Sequence, residues 1–221
     1  MRIGLLGGTF NPIHNGHLQI AGEVHKKLRL DSILFIPSGA PPHKPDEEIP
    51  SAEHRLEMTR LAVQNLPSFK VSDIEIIRPG KSYSIQTISD LKSLHPSDTL
   101  FFIIGMDAFH EIPTWKEAER LLTLCHFVIV SRPGHPFSRT PDFGPLRGID
   151  RSALAALDRQ ERDLYTFPVA DDAALHFMIT TPSPLSASAI RKKIAAGQRV
   201  KNLLPEPVES YIIKNNLYKA P

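Results

Sequence analysis

His14 and His17 stand three residues apart around Gly16, in the run Gly7-Gly8-Thr9-Phe10-Asn11-Pro12-Ile13-His14-Asn15-Gly16-His17. Two imidazoles at this spacing can both reach whatever lies between them. An apolar run, Ile3-Gly4-Leu5-Leu6, leads in and a helical pattern follows, so the junction reads as strand, glycine turn and helix N-terminus. Helix N-termini carry unpaired N–H groups and a partial positive charge, which attract phosphate. Glycine lets a ligand approach the backbone closely. Histidine is an uncommon choice at a positive helix end unless it is neutral or faces an anion. The junction therefore suits a nucleoside phosphate. It is neither a dinucleotide fingerprint, because G-x-G-x-x-G is absent, nor a Walker loop, because no Gly-Lys-Ser/Thr follows.

A second group of candidates lies late in the chain, in Leu185-Ser186-Ala187-Ser188-Ala189-Ile190-Arg191. Ser186 and Ser188 can cap a helix and offer hydroxyls to phosphate. Arg191, one turn on, can reach the same anion. Three single residues carry two readings each. Asp107 follows the apolar run that ends at Gly105, and could cap a helix or accept hydrogen bonds from ribose hydroxyls. Trp115 could be a core residue or a site wall. Lys44, in the proline-rich stretch Pro41-Pro42-His43-Lys44, could be solvated or could clamp a triphosphate.

The elements that must hold these residues alternate between strand and helix. Strands are expected at Arg2 to Leu6, Ser32 to Ile36, Lys70 to Ile74, Thr99 to Ile104 and His126 to Val130, with a weaker one at His176 to Ile179. Near-continuous apolar runs suit strands covered on both faces. Helices are expected at Gly16 to Leu30, Ser51 to Leu66, Ser84 to Leu94, Thr114 to Leu124 and Pro205 to Tyr218. The alternation predicts an α/β fold with a doubly wound parallel sheet, whose ligands sit at the carboxyl ends of the strands. Loops are expected at Pro37 to Pro50, which holds five prolines, at Arg132 to Asp150, and at Thr180 to Pro184. No internal repeat or domain boundary is visible, so residues 1–221 are expected to form a single domain.

Composition narrows the partners. At 221 residues, 41% hydrophobic and 23% charged, the chain reads as soluble and globular. A net charge of +2 gives no basic field for nucleic acid. The single cysteine, Cys125, excludes an internal disulfide and is expected to be a buried small hydrophobe. No apolar run is long enough to span a membrane, and the first residues read as a strand rather than a signal peptide, so a cytoplasmic location is expected. Ten histidines bring no H-E-x-x-H or comparable spacing, so no protein metal site is expected. His25, His95 and His135 read as surface residues.

The run Gly7 to His17 resembles the signature of the nucleotidyltransferase superfamily, whose members transfer a nucleoside monophosphate from a nucleoside triphosphate. Ser186 to Arg191 resembles the second signature of that superfamily, Ser-(Ser or Ala)-(Thr or Ser)-x-Ile-Arg. Ser82-Tyr83-Ser84-Ile85-Gln86-Thr87 is similar to the Ser-Tyr-Thr-x-x-Thr segment of the nicotinate-nucleotide adenylyltransferases. Gly105-Met106-Asp107 with Pro113-Thr114-Trp115, the Pro41 to Lys44 stretch, Ser131-Arg132-Pro133-Gly134 and Leu203 to Val208 resemble segments of the same family. The likeness covers nearly the whole chain except Phe137 to about Asp172. Departures are mild: Asn11 for the usual Asp, and Ser84 and Ser188 where Thr is commoner.

The resemblance implies a Rossmann-like nucleotidyltransferase fold, ATP and nicotinate mononucleotide as substrates, and Mg²⁺ carried by the ATP phosphates. It implies catalytic roles for His14, His17, Lys44 and Arg191. It places Gly7, Gly8, Thr9, Phe10, Gly16, Gly105, Asp107, Arg132, Ser186 and Ser188 around ATP. It places Ser84, Ile85, Thr87 and Trp115 around the mononucleotide, with Trp115 stacked on the pyridine ring and main-chain N–H groups near Ser84 and Ile85 receiving its carboxylate. The alternative is a sister enzyme of the same fold acting on phosphopantetheine or nicotinamide mononucleotide, of which the former is disfavoured by Trp115 and the Ser-Tyr-Ser segment. A non-catalytic nucleotide sensor is disfavoured by the intact His-x-Gly-His and Arg191.

Overall fold

The computed structural model describes residues 1–40 and 49–219. Lys44 and the rest of Pro41 to Lys44 lie outside the described residues. A seven-stranded sheet runs through the molecule in the order β3-β2-β1-β4-β5-β7-β6. Its strands are β1 (Arg2–Gly8), β2 (Ser32–Pro37), β3 (Phe69–Val71), β4 (Thr99–Gly105), β5 (His126–Val130), β6 (Leu164–Ala170) and β7 (Ala173–Met178). All neighbours pair in parallel except β6, which runs antiparallel to β7. The chain winds outward from β1 through β2 to β3, then returns to β4 on the other side of β1. The switch point of the doubly wound sheet thus falls between β1 and β4.

Helices cover both faces. In chain order they are α1 (Asn15–Lys27), α2 (Ala52–Val63), α3 (Ile74–Ile77), α4 (Ser84–Leu94), α5 (Met106–His110), α6 (Ala118–Leu124), α7 (Arg151–Asp158), α8 (Ala187–Ala195) and α9 (Glu206–Lys214). The run Leu100 to Ile104 shows why the strands are apolar throughout. Phe102 and Ile104 join Ile85, Ile88, Phe109 and Leu121 on one face, while Phe101 and Ile103 join Ile13, Ile20, Val24 and Ile190 on the other. Side chains alternate across a strand, so a sheet covered twice needs both sets apolar. Cys125 is buried as expected, and burial pushes its thiol up to about 12.

Two expectations are corrected, and α7 and β6, which follow Asp150, are additional to the elements expected. The third strand ends at Val71, and Ile74 opens the short helix α3 after a Ser72-Asp73 turn, with the Ile74 amide donating to Ser72 Oγ. The helix expected over Thr114 to Leu124 is broken. A 3-10 turn covers Ile112–Thr114, Trp115 is extended, Glu117 takes φ of 51°, and α6 begins only at Ala118. The stretch Arg132 to Asp150 leads into α7, capped by Asp150, whose carboxylate accepts from the Ser152 and Ala153 amides. The following strand, β6, is an edge strand with a register irregularity between Pro168 and Ala170, and edge strands are where proline is tolerated in a sheet.

Gly39, just past β2, has no room for a side chain. A Cβ there would sit 2.1 Å from the Glu75 carbonyl oxygen on α3. That neighbour is backbone and cannot swing aside. Gly39→Ala should therefore destabilise the protein by roughly 1–3 kcal/mol. The midpoint of denaturant unfolding checks this, and an unchanged midpoint would mean that α3 is free to move.

Candidate active site

The strands point their carboxyl ends at one cleft, and α1 starts there. His14 is the N-cap of α1, in extended conformation. Its amide donates to His17 Nδ1 at 3.2 Å, and the His17 amide donates back to the His14 carbonyl at 2.9 Å. The two rings stack at a centroid separation of 3.8 Å. Because Nδ1 of His17 accepts, the ring proton must reside on Nε2, the edge left free to donate. His14 is buried and its Nδ1 has no hydrogen-bond partner among the described residues. The next residue is pinned as well: the Asn15 amide donates to the Leu203 carbonyl and its side chain to that of Asn202.

Both imidazoles are held neutral. Burial lowers His14 from 6.5 to about 4, with the Arg132 charge adding to the effect. Burial also lowers His17 well below its ordinary value, with His14 and Arg132 adding to it. A neutral imidazole still donates one hydrogen bond, so the pair offers donors to an anion without adding charge to a cleft that already holds cations.

Gly16 is required by a close approach. A Cβ there would lie 2.8 Å from Ser183 Oγ and 3.1 Å from the His14 ring. Gly7 and Gly8 close β1, and Gly7 is exposed toward the cleft with nothing nearer to a Cβ than Phe102 at 3.7 Å. Thr9 is half-buried. Phe10 presents its backbone to the turn. Its ring belongs to the core, edge-on to His17 at 5.1 Å, so only its backbone can face a ligand. That backbone adopts φ of 48°, an uncommon conformation for a residue with a side chain.

The late signature reaches the same turn. Ser186 caps α8 by accepting from the Ala189 amide at 3.3 Å, and its oxygen lies 3.4 Å from Ser188 Oγ. Arg191 donates through Nη1 to the Asn11 carbonyl at 2.9 Å, leaving the rest of its guanidinium fork unused among the described residues. Arg132 and Asp107 meet above Gly105 at 3.5 Å, an ion pair too long for a hydrogen bond. A Cβ on Gly105 would strike both. Asp107 does not cap α5.

Two clefts flank this cluster. One, of about 610 Å³, is lined by Arg132, Gly134, His135, Thr180 and Ser183 beyond the ends of β5 and β7. The other, of about 400 Å³, is lined by Ser82, Tyr83, Ser84, Ile85, Thr114, Trp115 and Lys116. Trp115 is half-buried there, edge-on to Phe102 at 6.4 Å. The break before α6 is what turns Trp115 out of a helix and onto the wall. Helix α4 begins at Ser84, so the Ser84 and Ile85 amides have no intrahelical acceptor. Thr87 does not join this cleft. It is buried, and its hydroxyl donates to Glu75 Oε1 while accepting from Arg78, both at 2.7 Å. The sequence places Thr87 at the mononucleotide; in the structure its hydroxyl ties α4 to α3.

Two residues of the region had no signal in the sequence. Lys116 places its ammonium 4.8 Å over the Tyr83 ring at the lip of the smaller cleft. Arg55, on α2, is buried beneath the glycine turn and holds the Thr9 carbonyl. An arginine on a helix reads as a solvated cation unless its partners are known. No group of three or more His, Cys, Asp or Glu gathers as a metal cage among the described residues. The cleft's fixed charges are mainly guanidinium groups, which fits a cation held chiefly by phosphate oxygens.

The fold and the cluster define a nucleotidyltransferase. A profile of the family described as cytidylyltransferase-like matches residues 5–193. The chain is 41% identical over 218 residues to a probable nicotinate-nucleotide adenylyltransferase of Citrifermentans bemidjiense, covering 99% of this chain and 98% of that one. It is 42% identical over 219 residues to a protein of the same description in Desulfatibacillum aliphaticivorans, covering 99% and 100%. The fold is shared with a Plasmodium falciparum nicotinic acid mononucleotide adenylyltransferase complexed with NaAD, with a TM-score of 0.70 at 21% identity over 98% of this chain and 97% of that one. This chain therefore belongs to the cytidylyltransferase-like family and, within it, to the nicotinate-nucleotide adenylyltransferases.

Neutral His14 gives stability a sign with pH. The unfolded chain takes up the proton near pH 6.5 and the folded one only near 4. Between these values the unfolded state binds more protons, so stability rises with pH through the window and is lost as pH falls. Each pH unit of that window is worth up to about 1.4 kcal/mol for one such group. His176, also lowered to about 4, adds a second contribution. Melting temperature should fall between pH 7 and pH 4.5, and His14→Asn should fall less steeply. Equal slopes would contradict a neutral, buried His14.

Trp115→Ala should raise the KM for the pyridine mononucleotide about ten- to hundredfold, the scale of one lost stacking partner, and leave the KM for ATP nearly unchanged. A variant with lower thermal stability and both KM values raised alike would make Trp115 a core residue only.

Proposed function

We propose that this chain joins ATP and nicotinate mononucleotide to give nicotinate adenine dinucleotide and pyrophosphate, in the cytoplasm. The observation that carries the reading is the convergence of His14, His17, Arg132 and Arg191 at the β1–β4 switch point, between one larger cleft and one walled by tryptophan.

A mononucleotide phosphate is already ionised at pH 7, so it needs little help from a general base. One of its oxygens attacks the α-phosphorus of ATP in line. The new P–O bond forms as the bond to the β-phosphate oxygen breaks, and pyrophosphate departs with the electron pair. The protein's task is positioning and charge stabilisation. His17 donates from Nε2 to the reacting phosphate, and His14 is the second donor beside it. Arg191 has spare guanidinium N–H groups for the leaving pyrophosphate, and Lys44 is assigned the same task. Mg²⁺ carried by the triphosphate would supply further charge neutralisation, with no ligand assigned to it from this chain.

The larger cleft takes the adenosine, with Asp107 assigned to the ribose hydroxyls. In the smaller cleft Trp115 stacks on the pyridine. The Ser84 and Ile85 amides receive its carboxylate, and the Lys116 ammonium in the lining of that cleft favours an acid over an amide. Family relatives described as nicotinate-nucleotide adenylyltransferases support the choice of substrate.

Pyrophosphate release on mixing the protein with ATP and nicotinate mononucleotide, nicotinamide mononucleotide or phosphopantetheine in turn tests the reading. Turnover with the first and little with the others is expected. Preference for another acceptor would overturn it. His17→Ala should lower turnover by on the order of 10²–10³, the scale for losing one donor to developing charge, with a smaller change in ATP affinity. Near-normal turnover in a folded variant would remove His17 from the mechanism.

A further inference from the structure

Arg55 is 2% exposed, beneath the cleft rather than in it. Its guanidinium donates to four main-chain carbonyls: Nε to Pro50 at 3.1 Å, Nη1 to Thr9 at 2.9 Å and to Ser38 at 2.6 Å, and Nη2 to Gly39 at 2.9 Å. These carbonyls belong to the glycine turn after β1, to the chain leaving β2, and to the residue just before α2. A guanidinium brought out of water is costly, and an apolar side chain of similar size is often no less stabilising in such a place. The planar fork does something an apolar residue cannot: it fixes where several carbonyls point.

The Thr9 carbonyl has a consequence for the ligand side of the turn. In a trans peptide the carbonyl oxygen and the following N–H lie in one plane and point in opposite directions across the C–N bond. Arg55 draws the Thr9 oxygen into the protein, which turns the Phe10 amide outward. Phe10 is held in its uncommon φ of 48° from the other end as well, by its buried ring. Arg191 holds the next carbonyl but one, that of Asn11. Arg55 thus holds the Thr9 carbonyl oxygen on the protein side of the turn, away from the side where a phosphate would lie. Nothing within the described residues accepts from the Phe10 amide.

We propose that Arg55 is a positioning residue for adenylyl transfer: through the Thr9 carbonyl it orients the Phe10 amide as a donor to the phosphate chain of ATP. This rests on the proposed function above. It assigns Arg55 no contact with substrate. The fork matters because a lysine would keep the charge but could not hold the Thr9, Ser38 and Gly39 oxygens together.

The test combines kinetics with amide NMR on the full chain. Addition of α,β-methylene-ATP to the wild-type protein should move the Phe10 amide proton downfield. In Arg55→Lys that shift should largely disappear. Its kcat should fall on the order of 10–100-fold, the scale of a misplaced donor, while the KM for nicotinate mononucleotide stays unchanged. A merely structural Arg55 would lower melting temperature and leave the kcat of the folded fraction intact, and that result would overturn the proposal. Should Arg55→Lys fail to fold, Arg55→Gln, which keeps donors and drops the charge, is read in the same way. An unmoved Phe10 amide in the wild-type protein overturns the proposal with no variant at all. Absence of pyrophosphate release by the wild-type protein would instead defeat the proposed function, so the two failures are distinguishable.

Discussion

The hydrogen bond from the His14 amide to His17 Nδ1 is the constraint on which the site depends. It spends the N-cap donor of α1 on a side chain, and in return fixes the tautomer of that side chain. It also brings two imidazoles into a stack from which burial excludes the proton. A cleft built only from ammonium and guanidinium groups would bind a triphosphate tightly and release pyrophosphate slowly. Neutral donors hydrogen-bond the reacting phosphate without adding net charge, and can strengthen as charge builds in the transition state.

Everything around that bond serves to place it. The parallel sheet brings the ends of β1, β4, β5 and β7 to one edge, and the switch point between β1 and β4 opens the space above them. Gly16 admits both Ser183 and the His14 ring, Gly105 admits Asp107 and Arg132, and Arg191 bridges from α8 to the turn that precedes α1. The two signatures lie some 170 residues apart in sequence, yet meet through one hydrogen bond of 2.9 Å between Arg191 and Asn11. The core layers on either side of the sheet keep these elements from shifting, since close-packed interiors have low compressibility.

Much of this was legible in the sequence because apolar runs and glycine turns are local signals. Ile3 to Leu6 and His126 to Val130 read as strands for the same reason that they are buried. The parts that were not legible depend on partners far along the chain. Thr87 sits in a segment with a familial resemblance, but its hydroxyl is directed by Glu75, twelve residues earlier. Phe10 lies in the phosphate-facing turn, yet a backbone of positive φ sends its ring inward. Strand β6 carries Pro168 and only a loose alternation, and is specified by pairing with β7 more than by its own residues. Arg55 has the pattern of a surface cation, and only the carbonyls of three separate segments reveal otherwise.

The central claim is that His17 enters the reaction as a neutral imidazole with its proton on Nε2. Ring nitrogen shifts from the protein labelled with ¹⁵N-histidine test it most directly, at pH 7 without ligand. The account predicts an unprotonated Nδ1 and a protonated Nε2 for His17, with that pattern persisting well below pH 6.5. A proton on Nδ1, or an imidazolium at pH 7, would contradict it.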